Sequence, residues 1–387
     1  MIPRQIQTTL ERLAAGFPVV AITGPRQSGK TTLARSFFSG LAYVSLEDPI
    51  ELAFALEDPK GFLARFSAGA IFDEAQRWPD LFSHLQGMVD VDRKPGRFVL
   101  TGSQQFGLMA GVTQSLAGRV GLTRLLPFSL AEIPAGALGT LDETILRGGY
   151  PGLYSGAVEI GDWMASYVAT YVERDVRQVL QVRDLALFQK FLRLCAGRSA
   201  QLLNLHSLAG ETGISHTTAR AWMSVLESSD VVYLLPPYHR NFGKRLVKTP
   251  KLYFLDTGLA CWLLGIRSAQ MLALHPCRGA LFETLIVGEF LKKRFNLGRP
   301  ADLFFWRDNS GLEADLLFET QGRLQMVEIK SGQTVTGDYI HAAKKSIHFA
   351  AQEALTPWLI HGGEETYERN GVRVTGWRSL PNCSGAL

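Results

Sequence analysis

The stretch Gly24-Pro25-Arg26-Gln27-Ser28-Gly29-Lys30-Thr31 follows directly on the apolar run Pro18-Val-Val-Ala-Ile-Thr23 and leads into Thr32-Leu-Ala-Arg-Ser-Phe-Phe38. A GxxxxGK[ST] pattern between a short apolar strand and a helical segment reads as a P-loop. Its glycines let backbone N–H groups wrap an anion, and the unsatisfied N–H groups at the N-terminus of the next helix face the same anion. In that reading Gly24, Pro25, Arg26, Gln27, Ser28, Gly29, Lys30, Thr31 and Thr32 bind the nucleotide. Lys30 reaches the β- and γ-phosphates and Thr31 holds Mg²⁺. The competing reading is an ordinary glycine turn before a helix.

A chain of 387 residues is long enough for two or three domains, and 46% hydrophobic with 20% charged residues is the balance of an ordinary soluble protein. The longest apolar stretches, such as Leu259-Ala-Cys-Trp-Leu-Leu-Gly-Ile266, fall short of the ~20 residues that span a bilayer. No membrane partner is expected. The segment Met1 to Leu10 lacks the apolar core and small-residue cleavage site of a secretory signal. Cys195, Cys261, Cys277 and Cys383 have neither zinc-ligand spacing nor the density of a disulfide scaffold. The expected compartment is the cytoplasm, with most of the cysteines in the core. A net charge of +4 permits nucleic-acid binding but is too mild to argue for it alone.

After the P-loop helix, Leu41 to Leu46 predicts a second strand, the turn Glu47-Asp-Pro49 follows, and a helical segment runs to about Phe66. The strand Gly69-Ala-Ile-Phe-Asp-Glu74 then ends in two acids and looks like a Walker B. Asp73 is placed to hold Mg²⁺, directly or through water, and Glu74 to polarise the water that attacks the γ-phosphate. A further strand, Arg97-Phe-Val-Leu-Thr-Gly-Ser103, ends with Thr101, Ser103 and Gln104 at the edge where parallel sheets place nucleotide sites. One of these is the candidate γ-phosphate sensor; the competing reading is that they cap the next helix. With Val120 to Leu126, these strands alternate with helices and predict a parallel sheet covered on both faces.

The order of P-loop, LEDP turn, Walker B followed by Gln76-Arg77, LTGSQ strand, Leu116-Ala-Gly-Arg119 and Leu126-Pro-Phe-Ser-Leu-Ala-Glu132 resembles the AAA-type ATPases of bacteria and archaea that carry a C-terminal nuclease-like module. The resemblance covers nearly the whole chain. It implies the AAA arrangement of the sheet, a homo-oligomer, and Arg119 as a candidate arginine finger or sensor, although an arginine after Ala-Gly suits a surface ion pair equally well. Arg147, in the glycine- and proline-interrupted connection Leu146 to Tyr154, is a second candidate finger.

Residues 162 to 195 read as helical, with Glu173, Arg174, Asp175 and Arg177 as a solvated or interdomain ion-pair face. The segment His206 to Glu227 carries a helix-turn-helix pattern: Leu208 and Ala209 face inward, Gly213-Ile-Ser makes the turn, and Ser215 caps a helix bearing Ala219, Trp222, Met223, Val225 and Leu226. Val231 to Asn241 would supply a wing. His216, Thr217, Arg220 and Ser224 lie outward, where a DNA reader places its contacts, yet one arginine and no lysine do not strongly indicate base readout. Packing between domains is the equal alternative. Lys244, Arg245, Lys248 and Lys251, interleaved with Phe242 and Tyr253, form a more basic cluster suited to tracking phosphates or to a solvated loop.

The last segment begins with the long helix Arg278 to Arg294, whose apolar start is interrupted by Glu283, and continues with strands at Asp302 to Arg307, Gly311 to Phe318 and Gln325 to Ser331. Asp315 precedes Glu328-Ile-Lys330, and residues two apart on a strand share a face. Two carboxylates and an ammonium so placed can hold Mg²⁺ and stabilise charge developing on a phosphodiester. This is the D…ExK arrangement of PD-(D/E)XK nucleases, with Glu283 in the place of their first-helix acid. By that resemblance Glu283, Asp315 and Glu328 bind metal and Lys330 assists the reaction. Gly311-Leu-Glu-Ala-Asp departs from the usual Pro-Asp pair and adds Glu313. A helix from Asp338 bearing His341, Lys344 and Lys345 would offer basic groups to a backbone, and Ser379 to Leu387 reads as a frayed end.

The expectation is therefore an α/β protein: an AAA-type P-loop parallel sheet over residues 1–150, a helical linker with a winged helix-turn-helix over 151–258, and an α/β PD-(D/E)XK nuclease-like domain over 259–387. Its expected function is ATP binding and hydrolysis controlling a metal-dependent nuclease-type site on nucleic acid, DNA favoured. The cofactors are ATP and Mg²⁺, with Mg²⁺ or Mn²⁺ at the second site. The alternative is an ATP-gated DNA-binding or protein-docking regulator whose nuclease-like domain is inactive.

Overall fold

The structure is a computed structural model that describes residues 2–103, 115–156, 158–172, 184–238, 248–308, 311–346 and 354–383. Gln104, the charged group at Glu173, Arg174, Asp175 and Arg177, and the basic pair Lys244 and Arg245 lie outside the described residues. Two compact units are present. The first comprises residues 1–128 with 228–230 and 294–300. The second comprises 129–227, 231–293 and 301–387. The first unit's opening stretch ends at Phe128, and the helix-turn-helix and nuclease-like segments fall largely in the second.

In the first unit the strands β1 (Val19–Thr23), β2 (Ala42–Ser45), β3 (Ala70–Asp73), β4 (Phe98–Gly102) and β5 (Val120–Arg124) form one sheet in the order β2-β3-β4-β1-β5, every pair parallel. Each residue of β1, β3 and β4 is buried, as expected of a sheet covered on both faces. Alternation sorts their side chains. Val19, Ala21, Phe72, Phe98 and Leu100 pack with Phe62, Trp78 and Leu85, whereas Val20, Ile22, Ile71 and Val99 pack with Leu10 and Leu33. The parallel order carries the C-terminal ends of β1, β3 and β4 to one edge.

The helical segment expected up to Phe66 is two helices, Pro49–Glu57 and Pro59–Ala64. Pro59 has no N–H to continue the first, and the Asp58 carboxylate accepts from Gly61 N at 2.9 Å to start the second. The region read as helical over 162–195 is helical among its described residues. Ile160–Tyr167 runs into a wider turn, Val168–Val172, and a new helix, Leu185–Ala196, begins where Asp184 accepts from Leu187 N at 3.0 Å.

The second unit contains two sheets. Strands β6 (Gln201–Leu202), β7 (Val232–Leu235) and β8 (Lys251–Phe254) pair antiparallel in the order β6-β8-β7. Between β6 and β7 lie the helices Leu205–Thr212 and His216–Ser228. They are joined through Gly213 in the left-handed region, a conformation that favours glycine, and Ser215 accepts from Thr218 N at 3.0 Å. Strands β9 (Phe304–Arg307), β10 (Glu313–Thr320), β11 (Arg323–Lys330), β12 (Trp358–His361), β13 (Tyr367–Arg369) and β14 (Val372–Gly376) form a six-stranded mixed sheet in the order β13-β14-β12-β11-β10-β9. Here β9, β10 and β11 are an antiparallel meander, and β12 and β14 continue in parallel. The helices Arg278–Asn296 and Gly337–Ser346 occupy the expected positions in the chain. Of the end read as frayed, Ser379 to Asn382 belong to the 3₁₀ turn Trp377–Asn382, which buries Trp377 and Leu380, and residues 384–387 lie outside the described residues.

Candidate functional site

The P-loop lies between the end of β1 and the helix Lys30–Phe37. Gly24 has φ of +143°, and a Cβ there would stand 2.1 Å from the Leu125 carbonyl oxygen, so the close approach of loop and β5 excludes any side chain. Lys30 is buried, and its ammonium donates to the carbonyls of Gly24 and Pro25 at 2.9 and 2.8 Å. The Ser28 hydroxyl is buried and has no protein partner. A buried unpaired hydroxyl is costly unless something else satisfies it, and with Lys30 and the free helix N–H groups it forms a donor set that fits a nucleotide's phosphates.

Arg4 was not singled out by any motif, yet it braces this loop. Its guanidinium is buried, donates to the carbonyls of Ser28 and Leu126 at 2.8 and 2.7 Å, and lies 4.8 Å from the Phe128 ring centre.

At the same edge, three hydroxyls converge on the carboxylate of Asp73. Thr31 donates at 2.9 Å, Tyr43 at 2.9 Å, and Thr101 from the neighbouring strand. Burial, reinforced by Asp73, pushes the Tyr43 phenol up to about 12, so it remains a donor. This oxygen-rich pair of Thr31 and Asp73 suits Mg²⁺. Glu74 adopts a left-handed backbone at φ 55°, a conformation that is costly for a residue with a β-carbon, and its Oε2 accepts from Ser103 at 2.9 Å and from Gln76. Ser103 and Thr101 therefore contact Glu74 and Asp73 themselves.

Arg119 does not join this group in its own chain. Its carbonyl accepts from Val19 N at the start of β1, roughly 13 Å of strand away from the P-loop end, and its guanidinium is paired with Asp90 at 2.6 and 2.9 Å. Arg147, in the second unit, donates to the Ala137 carbonyl at 3.2 Å.

The second cluster is built from the helix Arg278–Asn296 and strands β8, β10 and β11 around a cavity of about 700 Å³ lined by Lys251, Glu283, Glu313, Asp315, Glu328 and Lys330. The predicted quartet thus meets: Lys330 lies 2.6 Å from Glu328 Oε1 and 4.0 Å from Asp315 Oδ2, and Asp315 Oδ2 accepts from Ile329 N at 2.8 Å. The expectation for Lys251 is overturned. It is not part of a phosphate-tracking loop but is 3% exposed on β8, and its ammonium lies 3.0 Å from Glu283 Oε1, in contact with Glu313 and 4.0 Å from Asp315 Oδ1. Tyr253, two residues along the same strand, donates to Glu283 Oε1 at 2.5 Å. The only hint in the sequence was the period of Lys251-Leu-Tyr-Phe254, which places Lys251 and Tyr253 on one face of a short core strand.

Burial, then the charge of Asp315, pushes Glu283 up to about 7 against the pull of Lys251, and the same two causes push Glu328 up to about 7. Burial alone would depress the Lys251 ammonium, but Glu283, Asp315 and Glu313 outweigh it and hold it above its ordinary range. The expected metal does not fit this donor set. Among the described residues no group of three or more His, Cys, Asp and Glu is arranged to hold a metal ion. A divalent ion ~4 Å from an ammonium would meet a repulsion of roughly 8 kcal/mol at an effective dielectric constant of about 20.

Two mycobacterial proteins, the uncharacterized protein Rv2008c of Mycobacterium tuberculosis (strain ATCC 25618 / H37Rv) and the uncharacterized protein Mb2031c of Mycobacterium bovis (strain ATCC BAA-935 / AF2122/97), are each 35% identical over 335 residues, spanning 86% of this chain and 74% of theirs. The chain belongs to their family. Residues 16–134 match the AAA domain, so the parallel five-stranded unit is an AAA-type domain of the P-loop ATPase fold. Residues 138–270 and 278–380 match two domains of unknown function, DUF8612 and DUF4143. Among solved structures, the Walker-type ATPase PABY2304 of Pyrococcus abyssi is similar at 16% identity with a TM-score of 0.46, covering 68% of this chain and 96% of its own.

In the second unit, Thr217, Arg220 and Ser224 of the helix His216–Ser228 are exposed, and His216 is half-buried with its ring 5.2 Å from that of His206. Cys195 and Cys261 are buried, whereas Cys277 and Cys383 are partly exposed, and all four are free thiols. Among the described residues no helix is long and apolar enough to cross a membrane.

Proposed function

We propose that the protein hydrolyses ATP and uses the nucleotide state to control how its C-terminal part engages nucleic acid. The observation that carries the first half is the meeting of Lys30, Thr31, Asp73 and Glu74 at one edge of the parallel sheet. In that site Lys30, Ser28 and the helix N-terminus hold the phosphates, Thr31 and Asp73 hold Mg²⁺, and Glu74, oriented by Ser103 and Gln76, takes the proton of the attacking water. The bound magnesium would neutralise charge on the transferring phosphoryl group.

The second half rests on the segment from Leu185 to Phe254. Its order of helix, strand, two helices and hairpin strands is that of a winged helix, with Thr217, Arg220 and Ser224 exposed on the second of the paired helices. The D…ExK pattern by itself favours a nuclease at Asp315, Glu328 and Lys330, but the buried ammonium of Lys251 among the carboxylates favours the reading in which the PD-(D/E)XK-like module binds without cutting. DNA is the favoured partner, a homo-oligomer is what the AAA resemblance suggests, and the cytoplasm is the compartment that the cysteine usage favours.

Fluorescence anisotropy with labelled single- and double-stranded DNA and RNA, run with and without ATP and across salt concentrations, tests the proposal beside an ATPase assay. Salt-sensitive binding that shifts with nucleotide, is uncoupled in Lys30→Ala, and leaves every strand intact in Mg²⁺ or Mn²⁺ is the expected result. Cleavage abolished by Asp315→Ala would restore the nuclease reading, and absence of salt-sensitive binding would point to a protein target.

A further inference from the structure

The chemistry of the acidic cavity allows a more specific statement, one that rests on the reading of the C-terminal module as non-cutting. We propose that Lys251 is a built-in counter-ion that stands in for a divalent cation, so that the pocket of Glu283, Glu313, Asp315 and Glu328 binds no metal of its own.

Four carboxylates are gathered in this pocket, and each is matched by a donor of the same unit. Glu283 accepts from Lys251 at 3.0 Å and from Tyr253 at 2.5 Å. Glu313 is paired with Lys251 and, at 3.3 Å, with Arg307. Asp315 accepts the backbone N–H of Ile329 at 2.8 Å, and Glu328 is paired with Lys330 at 2.6 Å. Carboxylates buried together need positive charge, and a metal-dependent site obtains it from the ion. Here three side-chain cations supply it. Lys251 is the one of them that contacts carboxylates from both the helix and β10, which is the bridging role of a metal ion.

Its position is also fixed by backbone. Strand β8 is hydrogen-bonded on both sides, to β6 and to β7, with Lys251 opposite Leu202 and Leu235. Its Nζ lies 5.6 Å from the Phe305 ring centre, a further contact that favours a cation. A side chain held this way competes with an incoming ion at every encounter, because displacing it would strand an ammonium in the interior.

The test is direct Mn²⁺ binding to the full-length protein without ATP or nucleic acid, read by the loss of the free-ion electron paramagnetic resonance signal and by calorimetry, in wild type, Asp315→Asn, Lys251→Met and the double variant Lys251→Met with Asp315→Asn. Methionine keeps the aliphatic length and removes the charge. The expected result is no binding in wild type up to about 1 mM that depends on Asp315, a site at least about tenfold tighter in Lys251→Met, and its loss in the double variant. Asp315-dependent binding by wild type below about 1 mM, shown by its loss in Asp315→Asn, overturns the proposal, and this arm decides even where Lys251→Met does not fold. A folded Lys251→Met that binds Mn²⁺ no better than wild type also overturns it. Because no nucleic acid or nucleotide is present, failure here is separate from failure of nucleotide-dependent nucleic-acid binding.

Discussion

The hydroxyl of Ser103, at the end of β4, donates to Glu74 Oε2 across 2.9 Å. It ties the acid proposed to act on the attacking water to β4, the strand lying between β3 and the P-loop strand β1. Since Glu74 also holds a left-handed backbone, its carboxylate direction depends on such side-chain partners. Ser103→Ala is expected to lower kcat for ATP hydrolysis by about tenfold, with KM for ATP within about twofold of wild type, since a hydrogen bond to a charged group contributes roughly 1.5–3 kcal/mol. Steady-state phosphate release checks it; an effect confined to KM would assign Ser103 to binding.

Glu74→Gln should retain ATP affinity and lose hydrolysis by about 10²–10⁴-fold, the range that a positioned general base supplies. Equilibrium binding of a fluorescent ATP analogue, measured beside single-turnover hydrolysis, separates the two effects.

Arg4 acts on the loop from outside any motif. Arg4→Ala leaves the buried carbonyls of Ser28 and Leu126 without their donor. A cost on the order of 2 kcal/mol is expected, seen as a lower unfolding midpoint and a KM for ATP raised by about tenfold. Arg4→Lys should recover only part of it, because an ammonium lacks the fork that reaches both carbonyls.

Arg119 stands at the edge opposite the P-loop of its own chain and is bound to Asp90. Arg119→Ala should therefore leave the affinity of a protomer for ATP within about twofold of wild type by calorimetry. If kcat nevertheless falls, and only at concentrations where light scattering with ATP records an oligomer, the arginine serves a neighbouring subunit.

The acidic cavity predicts a pH dependence of stability. Glu283 and Glu328 keep their protons up to about 7 in the folded protein, against an ordinary 4.5. Folding thus takes up protons between these values, and the stability that this uptake contributes is full below about 4.5 and is lost as pH rises through about 7. Unfolding midpoints taken from about pH 5 to about pH 8 should fall with rising pH, and Glu328→Gln should flatten that slope; an unchanged slope would place the proton uptake elsewhere.

The nucleotide site was legible in the chain because its chemistry is local. Gly24 to Thr31 lie within one strand-to-helix turn, and the burial of β1, β3 and β4 follows from unbroken apolar runs that can only be interior. The D…ExK trio was legible for a similar reason, since Asp315, Glu328 and Lys330 sit on adjacent strands whose period of two fixes their faces.

What the chain by itself determined, then, is the set of elements and the groups that lie on one turn or one strand face. Only the tertiary structure decided which distant groups meet those sites. Arg4 reaches Ser28, Tyr43 reaches Asp73, and Lys251 enters a cluster that its sequence neighbours mark as a basic loop. The physical reason is that a charge's role is set by its surroundings. The same lysine is a phosphate contact in water and a counter-ion among buried carboxylates, and sequence spacing does not record which of these environments surrounds it.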